Sequence, residues 1–281
     1  MTITAHCLVK NEARFLWYSV MSVIKHVDKI LLWDTGSTDE TLEIINVIRK
    51  TENGKRKVEF REYGEVTPDT FAHVRQEMLD STETDWIIMV DGDEVWWEGT
   101  IRHLLSEIKE KGDTIESIVV PTINLVGDIF HYQEPQAGKY RLAGKIGHLN
   151  LRGVNRKIPG LKSFGSHGQW GWVDGENRMI QYRDSKNILF IDAPYLHATN
   201  IPRAGNFQKE EDVPKRKMKR KYELGIPFPL DFYYPEVFFR PKPRIVPSPW
   251  EKMSISFKIR AAVETPLRKI KRRFLPGKVG Y

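Results

Sequence analysis

The first 124 residues alternate between short apolar runs and segments with helical periodicity, and this alternation restricts the possible folds more than any other feature. The segments predicted to form strands are TITAHCLV, KILLW, VEFREY, WIIMV and SIVVPTINL. Between the first two runs, apolar residues recur at helical spacing, at Leu16, Val20, Val23, Ile24 and Val27. Strands that alternate with helices in this way are typical of βαβ units. The sequence therefore predicts an α/β fold with a mostly parallel, Rossmann-like sheet.

Helical periodicity disappears after Asn124, where Gly, His, Trp and Asn become frequent. The segments ENRMIQYR and NILFI are predicted to form short strands between loops. Prolines recur from Pro227 to Pro249 and prevent regular helices or central strands there. We therefore expect a first half at 1–124, a loop-rich α+β half at 125–240, and a Pro-rich, basic tail at 241–281.

Composition excludes several classes of protein. The 281 residues are 40% apolar and 29% charged, which suits a folded body with a sizeable core. No uncharged apolar stretch approaches the length of roughly 18 residues that a transmembrane helix needs. The opening MTITAHCLVKNE has no basic segment followed by an apolar run, so no signal peptide is expected. The single cysteine, Cys7, excludes an internal disulfide and a thiolate-rich zinc site, and a cytoplasmic location is expected.

The positive charge is concentrated in the tail. Residues 250–281 contain nine Lys and Arg against two Glu, which equals the net charge of +7 for the whole chain. The body is therefore neutral, and no nucleic-acid partner is expected. In LRKIKRRFL, one helical face carries Leu267, Ile270, Phe274 and Leu275, and Pro266 and Pro276 are expected to limit the helix to under three turns. A basic amphipathic segment of this kind favours peripheral binding to an anionic membrane surface, on the cytoplasmic face.

An acidic motif, DTGSTDET, follows the strand KILLW directly and spans Asp34 to Thr41. Ligands of open α/β sheets bind outside the carboxyl ends of strands, and a carboxylate there can accept hydrogen bonds from a base or ribose. A plain capped turn is the simpler alternative. The letters DTGS also match the nucleophile loop of aspartic proteases. That chemistry needs two aspartates sharing a proton, and the chain has no second DTG or DSG.

A second acidic motif, Asp91-Gly92-Asp93-Glu94, follows the apolar strand WIIMV. Carboxylates two residues apart project to the same side of an extended chain and suit a hard divalent ion that holds a diphosphate. A polar surface turn is again the alternative. Because parallel strands end at a common edge, this motif and Asp34 are expected to lie at the same edge of the sheet.

These residues resemble family 2 of the nucleotide-sugar-dependent glycosyltransferases, which have the GT-A fold. The resemblance covers residues 3 to 98 and is carried, in order, by Lys10-Asn11-Glu12, by Asp34 to Thr41, by Arg75-Gln76 ahead of Trp86, and by Asp91 to Glu94. Gln76 stands where Asn is common. The Lys-Asn-Glu and Asp-Thr-Gly-Ser variants resemble the subgroup that builds lipopolysaccharide cores and other surface glycans. The implied activity is transfer of a hexosyl-type sugar from a nucleoside diphosphate sugar to a hydroxyl of a glycan or lipid-linked glycan, with inversion.

The resemblance also implies roles for individual residues. The half at 1–124 would bind the nucleotide sugar, and the half at 125–240 would bind the acceptor. Nucleotide-sugar contacts would come from Asn11, Glu12, Asp34 at the nucleobase, Arg75 at the base or phosphates, and Asp91 at the ribose. Mn²⁺ or Mg²⁺ would be held by Asp91, Asp93 and His197, and Arg203 is a candidate to pair with a phosphate.

The general base is left open by the sequence. An inverting transferase needs a base for the acceptor hydroxyl, and the Gly/Trp loop at 165–176 offers His167, Asp174 and Glu176; Asp128 and Glu134 are further candidates. Four tryptophans are candidates to stack on a sugar ring: Trp96, Trp97, Trp170 and Trp172. The alternative of another class is a non-catalytic membrane- or nucleic-acid-associated protein that keeps the fold.

Overall fold

The computed structural model describes residues 1–201 and 222–274. In the first half, strands and helices alternate as β1 (Ile3–Val9), α1 (Leu16–Val23), β2 (Lys29–Asp34), α2 (Thr41–Lys50), α3 (Glu52–Lys57), β3 (Val58–Glu62), α4 (Phe71–Asp80), β4 (Trp86–Met89), β5 (Glu94–Trp96) and α5 (Glu98–Lys111). The apolar runs thus form the strands, and the segments with helical periodicity form the helices.

The first half builds a parallel sheet in the order β4-β1-β2-β3. Its central strands are buried on both faces, which explains why KILLW and WIIMV are continuously apolar. The helices cover the sheet with their apolar faces; for example, Ile101, Leu104 and Ile108 of α5 are all buried. The predicted α/β fold class with the GT-A arrangement is confirmed.

The second half is richer in short strands. Its elements are β6 (Ser117–Val126), β7 (Asp128–Tyr132), β8 (Tyr140–Leu142), β9 (Lys145–Gly147), β10 (Leu149–Asn155), β11 (Lys162–Phe164), β12 (Gly171–Val173), β13 (Ile188–Phe190), β14 (Tyr195–Asn200), β15 (Ile226–Pro227) and α6 (Ile255–Phe274). Single turns of 3₁₀ helix lie at Pro135–Ala137, Ile180–Tyr182, Ser185–Asn187 and Glu236–Phe239.

Both halves share one sheet, with the strand order β15-β7-β6-β10-β4-β1-β2-β3. Strand β10 is antiparallel to β4 and to β6, so β4 and β6 run in the same direction and end at the same edge. Strand β14 pairs with β6 in parallel and with β5 in antiparallel orientation. The expected boundary at Asn124 falls inside β6, so the backbone continues through it without a break in the sheet.

One strand prediction is wrong. The segment ENRMIQYR forms a turn followed by the 3₁₀ helix, and only Met179 bridges to β12. The reason is the buried carboxylate of Asp174, which accepts hydrogen bonds from the backbone N–H groups of Glu176 and Arg178 at 3.0 Å each and curls the chain around itself. The strand predicted at NILFI is confirmed as β13.

The expected break at Pro266 is also wrong, because α6 continues through this residue for 20 residues in all. Pro266 removes the N–H group that would bond the carbonyl of Ala262. Both residues are exposed, so water can satisfy that carbonyl. The helix is fixed by Phe257, Ala261 and Thr265, which are buried on its inner side. Leu275 and Pro276 lie outside the described residues. Among the described helices, none is both long and apolar enough to cross a membrane.

Candidate functional site

The acidic motifs meet at one edge of the sheet, as the sequence predicts. Strand β1 pairs in parallel with β2 and with β4. Asn11 and Glu12 lie just after β1, Asp34 is the last residue of β2, and Asp91 lies just after β4. Paired residues in the register place Val9 beside Asp34. After Asp91 the chain turns into β5. Strand β14 pairs with β5 and brings His197 to the same edge.

The two loops after β1 and β2 are bonded to each other. Asn11 has a left-handed backbone (φ 56°), accepts a hydrogen bond from the N–H of Thr38 at 2.7 Å, and donates its own N–H to Ser37 Oγ at 2.8 Å. The N–H of Glu12 donates to Thr41 Oγ1 at 2.8 Å. These bonds hold the loops in one shape before any ligand arrives.

Asp34 builds the turn that follows it. Its buried carboxylate accepts hydrogen bonds from the N–H groups of Gly36 and Ser37 at 2.9 Å each, and the Ser37 hydroxyl also bonds it. Gly36 has a φ of +83°, which favours glycine. In this state Asp34 shapes the loop, and its direct contact with a nucleobase stays a prediction.

Asp91 lies between two buried arginines. One carboxylate oxygen is 3.4 Å from Arg75 Nη2, and the other is 3.1 Å from Arg152 Nη2. The guanidinium of Arg75 packs against the rings of Phe71 and Trp170, and burial lowers its pKa from the usual value. Its Nε and Nη1 are buried, and within residues 1–201 and 222–274 they have no hydrogen-bond partner. Such orphaned cationic donors are suited to an anionic ligand.

A buried network that the sequence analysis missed supports this site. Glu94 is fully buried and bonds to the guanidinium of Arg152 and, at 2.9 Å, to the hydroxyl of Tyr195. Arg152 Nε donates to the same hydroxyl at 3.0 Å. Burial, partly offset by Arg152, raises the pKa of Glu94 to about 7. The available signal was an arginine inside the otherwise uncharged strand LNLRGVN, because a buried arginine requires a carboxylate partner.

Asp93 and His197 form the candidate metal pair. The antiparallel register of β14 on β5 brings His197 opposite Glu94, and His197 Nε2 lies 3.5 Å from Asp93 Oδ1. Burial opposes protonation of the imidazole, but the charge of Asp93 outweighs it and raises the pKa of His197. A carboxylate and an imidazole are ligands that divalent transition metals accept. In the described part of the chain, no three His, Cys, Asp or Glu side chains come together as a ready cage, so the protein would supply only part of the coordination sphere.

His167 lies at the tip of the β11–β12 hairpin, on the same side as this cluster. Its N–H donates to the carbonyl of Pro68 at 2.9 Å, and its ring meets Phe71 edge-on at 4.9 Å. Phe71 and Trp170 both contact Arg75, which reaches Asp91. The hairpin tip therefore stands next to the arginine that contacts the acidic motif.

The structure places Asp174 and Glu176, two of the candidate general bases, away from the acidic motif. Asp174 lies at the opposite end of the hairpin, where Arg183 links it to Glu116 at the start of β6. Because β6 runs parallel to β4, this end of the sheet is remote from Asp91, by roughly 15 Å along the strand direction. Burial would raise the pKa of Asp174, but hydrogen bonds from the Arg178 N–H and from the Arg183 and Arg178 side chains outweigh it and lower the pKa to about 2. Glu176 is exposed in the same turn.

The remaining candidates are engaged elsewhere. Asp128 is buried and accepts hydrogen bonds from His131 at 2.6 Å and from the N–H groups of Phe130 and Met253. Glu134 is paired with Arg272 at 2.8 Å. Trp96 and Trp172 are buried in the core and cannot stack on a sugar, whereas Trp97 and Trp170 are partly buried. Arg203 lies outside the described residues.

The sequence profile of Glycosyl transferase family 2 matches residues 7–171. Among solved structures, S. aureus TarS 1-349 in complex with UDP-GlcNAc is similar at 15% identity over 77% of this chain and 64% of that one, with a TM-score of 0.45. The chain covers 44% of the S. aureus TarS structure. Glucosyl-3-phosphoglycerate synthase from Mycobacterium tuberculosis, in complex with Mn²⁺, UDP-glucose and phosphoglyceric acid, matches at 14% identity over 78% and 79%, with a TM-score of 0.47. A search of curated proteins returned no match.

The profile spans more than half of the chain and contains every motif at the carboxyl edge of β1, β2 and β4. The aspartic-protease interpretation of Asp34 is excluded with it, since Asp34 ends a strand of a parallel α/β sheet. The chain belongs to glycosyl transferase family 2.

Proposed function

We propose that this protein transfers a sugar from a nucleoside diphosphate sugar to a hydroxyl group of a glycan or lipid-linked glycan, with inversion and with Mn²⁺ or Mg²⁺. The observation that carries the proposal is the convergence of Asp91, Asp93, His197 and the incompletely bonded Arg75 at one edge of the sheet. The group combines acidic ligands for a metal with a cation for a phosphate, as a metal–diphosphate ligand requires.

The donor would lie along the carboxyl edge of the parallel strands. Asn11, Glu12 and Asp34 shape the loops that receive the nucleotide, and the free donors of Arg75 are offered to the base or phosphates. Asp91 is oriented by Arg75 and Arg152, which fix its carboxylate for the ribose or for the metal. This arrangement is organised before binding, which reduces the ordering that a ligand must induce.

Asp93 and His197 would hold the metal, and Asp91, two residues before Asp93 in the chain, is a further candidate ligand. When bound, a divalent ion neutralises the charge that develops on the leaving diphosphate. Asp93, Glu94 and Tyr195 are all buried, so these three side chains have little contact with bulk water. TarS and glucosyl-3-phosphoglycerate synthase have been crystallised with UDP-sugars, the latter with Mn²⁺, so UDP-sugars with Mn²⁺ are the first ligands to test.

We propose His167 as the base that takes the proton of the acceptor hydroxyl. Its support is its place at the hairpin tip beside Phe71 and Trp170, which contact Arg75. His167→Ala and His167→Gln are expected to reduce kcat by about 10²-fold. Glu176→Ala, at the far end of the same hairpin, is the matched control and should retain kcat. If both His167 variants kept a normal kcat, His167 would not be the base, and Glu134 would be the next candidate.

The proposed activity is tested by measuring release of the nucleoside diphosphate from UDP-, GDP- and dTDP-sugars in Mn²⁺, Mg²⁺ and EDTA. We expect at least one donor to turn over only with metal, and Asp93→Asn to abolish that turnover while the thermal unfolding temperature stays unchanged. The matched control is Asp113→Asn, which removes an exposed aspartate on the surface. Absence of metal-dependent turnover with every donor would favour the non-catalytic alternative.

A further inference from the structure

The outward face of α6 is a continuous apolar stripe. Six large apolar side chains on it are between 55% and 77% exposed, namely Ile255, Ile259, Val263, Leu267, Ile270 and Phe274. They recur at spacings of three and four residues, so they lie on one side of a helix about 30 Å long. Isolated exposed apolar residues need no explanation, but a stripe along a whole helix marks an interaction surface.

The opposite face of the same helix is already used for packing. Phe257 and Ala261 are buried against the body, and Arg272 is paired with Glu134 and Glu223 at 2.8 and 2.6 Å. At the margin between the two faces, Arg260 lies over the ring of Tyr222 at 3.7 Å. These contacts fix the rotation of the helix. The apolar stripe therefore faces outward because the other side is anchored.

Positive charge flanks the stripe. Residues 255–274 contain seven Lys and Arg and one Glu. At 100° per residue, Lys258, Lys269 and Arg273 border one side of the stripe, and Arg260 and Lys271 border the other. An apolar strip between two cationic borders is complementary to a lipid surface, which offers acyl chains below and anionic phosphates above.

The helix also lies at the edge of the sheet that carries the candidate site. The N–H of Met253, just before α6, donates to Asp128 at 3.0 Å, and the ring of Phe257 covers Gly127, where an added Cβ would approach it to 2.7 Å. Gly127 and Asp128 form the turn at the carboxyl end of β6, which runs parallel to β4. A surface bound by α6 would therefore lie beside the acceptor half.

We propose that the outward face of α6 docks the protein on an anionic phospholipid membrane, with the stripe in the headgroup region and the flanking cations on lipid phosphates. A nucleic acid does not fit, because its contact surface is polar and charged, whereas the centre of this face is apolar. Pairing with the same face of a second copy would bring two strongly cationic helices together, which is unfavourable. The docking is independent of catalysis and can be measured without a donor.

The experiment is co-sedimentation of the full chain with vesicles of phosphatidylcholine alone or mixed with phosphatidylglycerol, at low and high salt. We expect wild type to bind the mixed vesicles and to be released by salt. Ile259→Glu/Val263→Glu should reduce the partition coefficient by more than about tenfold. The matched control Ile146→Glu/Tyr182→Glu replaces two exposed apolar residues outside α6 with the same charge and should sediment as wild type does.

A second pair of changes keeps the test decisive if the stripe variant folds poorly. Lys269→Gln/Lys271→Gln leaves the stripe intact and should weaken binding to mixed vesicles by about fivefold for each cation removed. Equal sedimentation of wild type and both α6 variants would overturn the proposal. Equal binding of wild type to neutral and anionic vesicles would overturn it too. It would also be overturned if wild type were a dimer that bound no vesicles and the stripe variant were a monomer. An affinity for duplex DNA or RNA that survives in the stripe variant, without vesicle binding, would overturn it as well.

Discussion

Within residues 1–201 and 222–274, two buried donors of Arg75 have no hydrogen-bond partner, and such groups need an explanation. A structural arginine would have its donors satisfied, whereas an arginine that awaits an anion keeps them available. The hydrogen bond from Nη2 to Asp91 and the packing against Phe71 and Trp170 orient the guanidinium and leave Nε and Nη1 available. At the scale of the residue, Arg75 is thus better explained by ligand binding than by stability.

Replacing Arg75 by Met separates these two roles. We expect Arg75→Met to weaken UDP binding by about 10- to 100-fold, since hydrogen bonds to charged groups contribute roughly 1.5–3 kcal/mol. The thermal unfolding temperature should stay equal to that of wild type or rise, because a buried and incompletely bonded charge is removed. Titration calorimetry and thermal unfolding measure the two effects. The control is Arg61→Met, which removes an exposed arginine from a surface ion pair. A variant that binds UDP normally but unfolds early would show that Arg75 is structural.

Asp174 is expected to matter for stability and not for chemistry. Its pKa of about 2 lies below the usual value of 3.8, so its hydrogen bonds stabilise the fold above pH 4 and are lost as the pH falls toward 2. Asp174→Asn should unfold at a lower temperature than wild type at pH 7, and this difference should shrink between pH 4 and pH 2. Donor turnover, measured well below the unfolding temperature, should stay normal. Loss of turnover in a folded variant would restore Asp174 as a catalytic candidate.

At the scale of the element, the turn between β4 and β5 depends on a close approach of the backbone. A Cβ on Gly92 would lie 2.8 Å from Glu12 Cγ and 3.0 Å from Val9 Cγ1, so the loop after β1 leaves no room for a side chain. Both Asp91 and Asp93 take their positions from this turn. The glycine is therefore required by the way two strand ends are packed together.

Gly92→Ala is predicted to displace the acidic motif. We expect a loss of about 1–3 kcal/mol in the free energy of unfolding from overpacking, together with weaker Mn²⁺-dependent UDP binding. Gly99→Ala is the matched control, because a Cβ there meets no atom within 4 Å and alanine favours the first turn of α5. Chemical denaturation and titration calorimetry provide the measurements. If Gly92→Ala matched Gly99→Ala in both, the close approach would not constrain the site.

The elements also show which parts of the site were predictable. Asp34, Asp91 and Asp93 could be placed from the sequence, because each lies at or just after the end of an apolar strand and parallel strands end at one edge. Arg152 could not, because its meeting with Glu94 depends on the insertion of antiparallel β10 between β4 and β6. Asp174 was misplaced for a related reason. Its neighbours in sequence are polar and loop-like. The direction of the β11–β12 hairpin decides whether its tip or its base lies at the site, and no local sequence pattern indicates that direction.

At the scale of the whole molecule, the candidate metal pair joins the two halves of the chain. Asp93 follows β4 of the first half, and His197 belongs to β14, which reaches it by pairing with β5 and β6. The two proposed metal ligands therefore come from opposite sides of Asn124. We therefore expect replacement of either Asp93 or His197 to weaken the same metal-dependent binding of UDP.

Titration calorimetry of UDP is the most direct test of the account, with wild type, Asp93→Asn and His197→Ala, each in Mn²⁺ and in EDTA. Wild type should bind UDP in Mn²⁺ and lose most of its affinity for UDP in EDTA. Both variants should bind weakly in Mn²⁺ and should show little further loss in EDTA, because the ligand they lack is the one that holds the metal. Two results would contradict the claim that this edge of the sheet binds a metal–diphosphate ligand. One is equal UDP affinity of wild type in Mn²⁺ and in EDTA, and the other is wild-type UDP affinity in both variants.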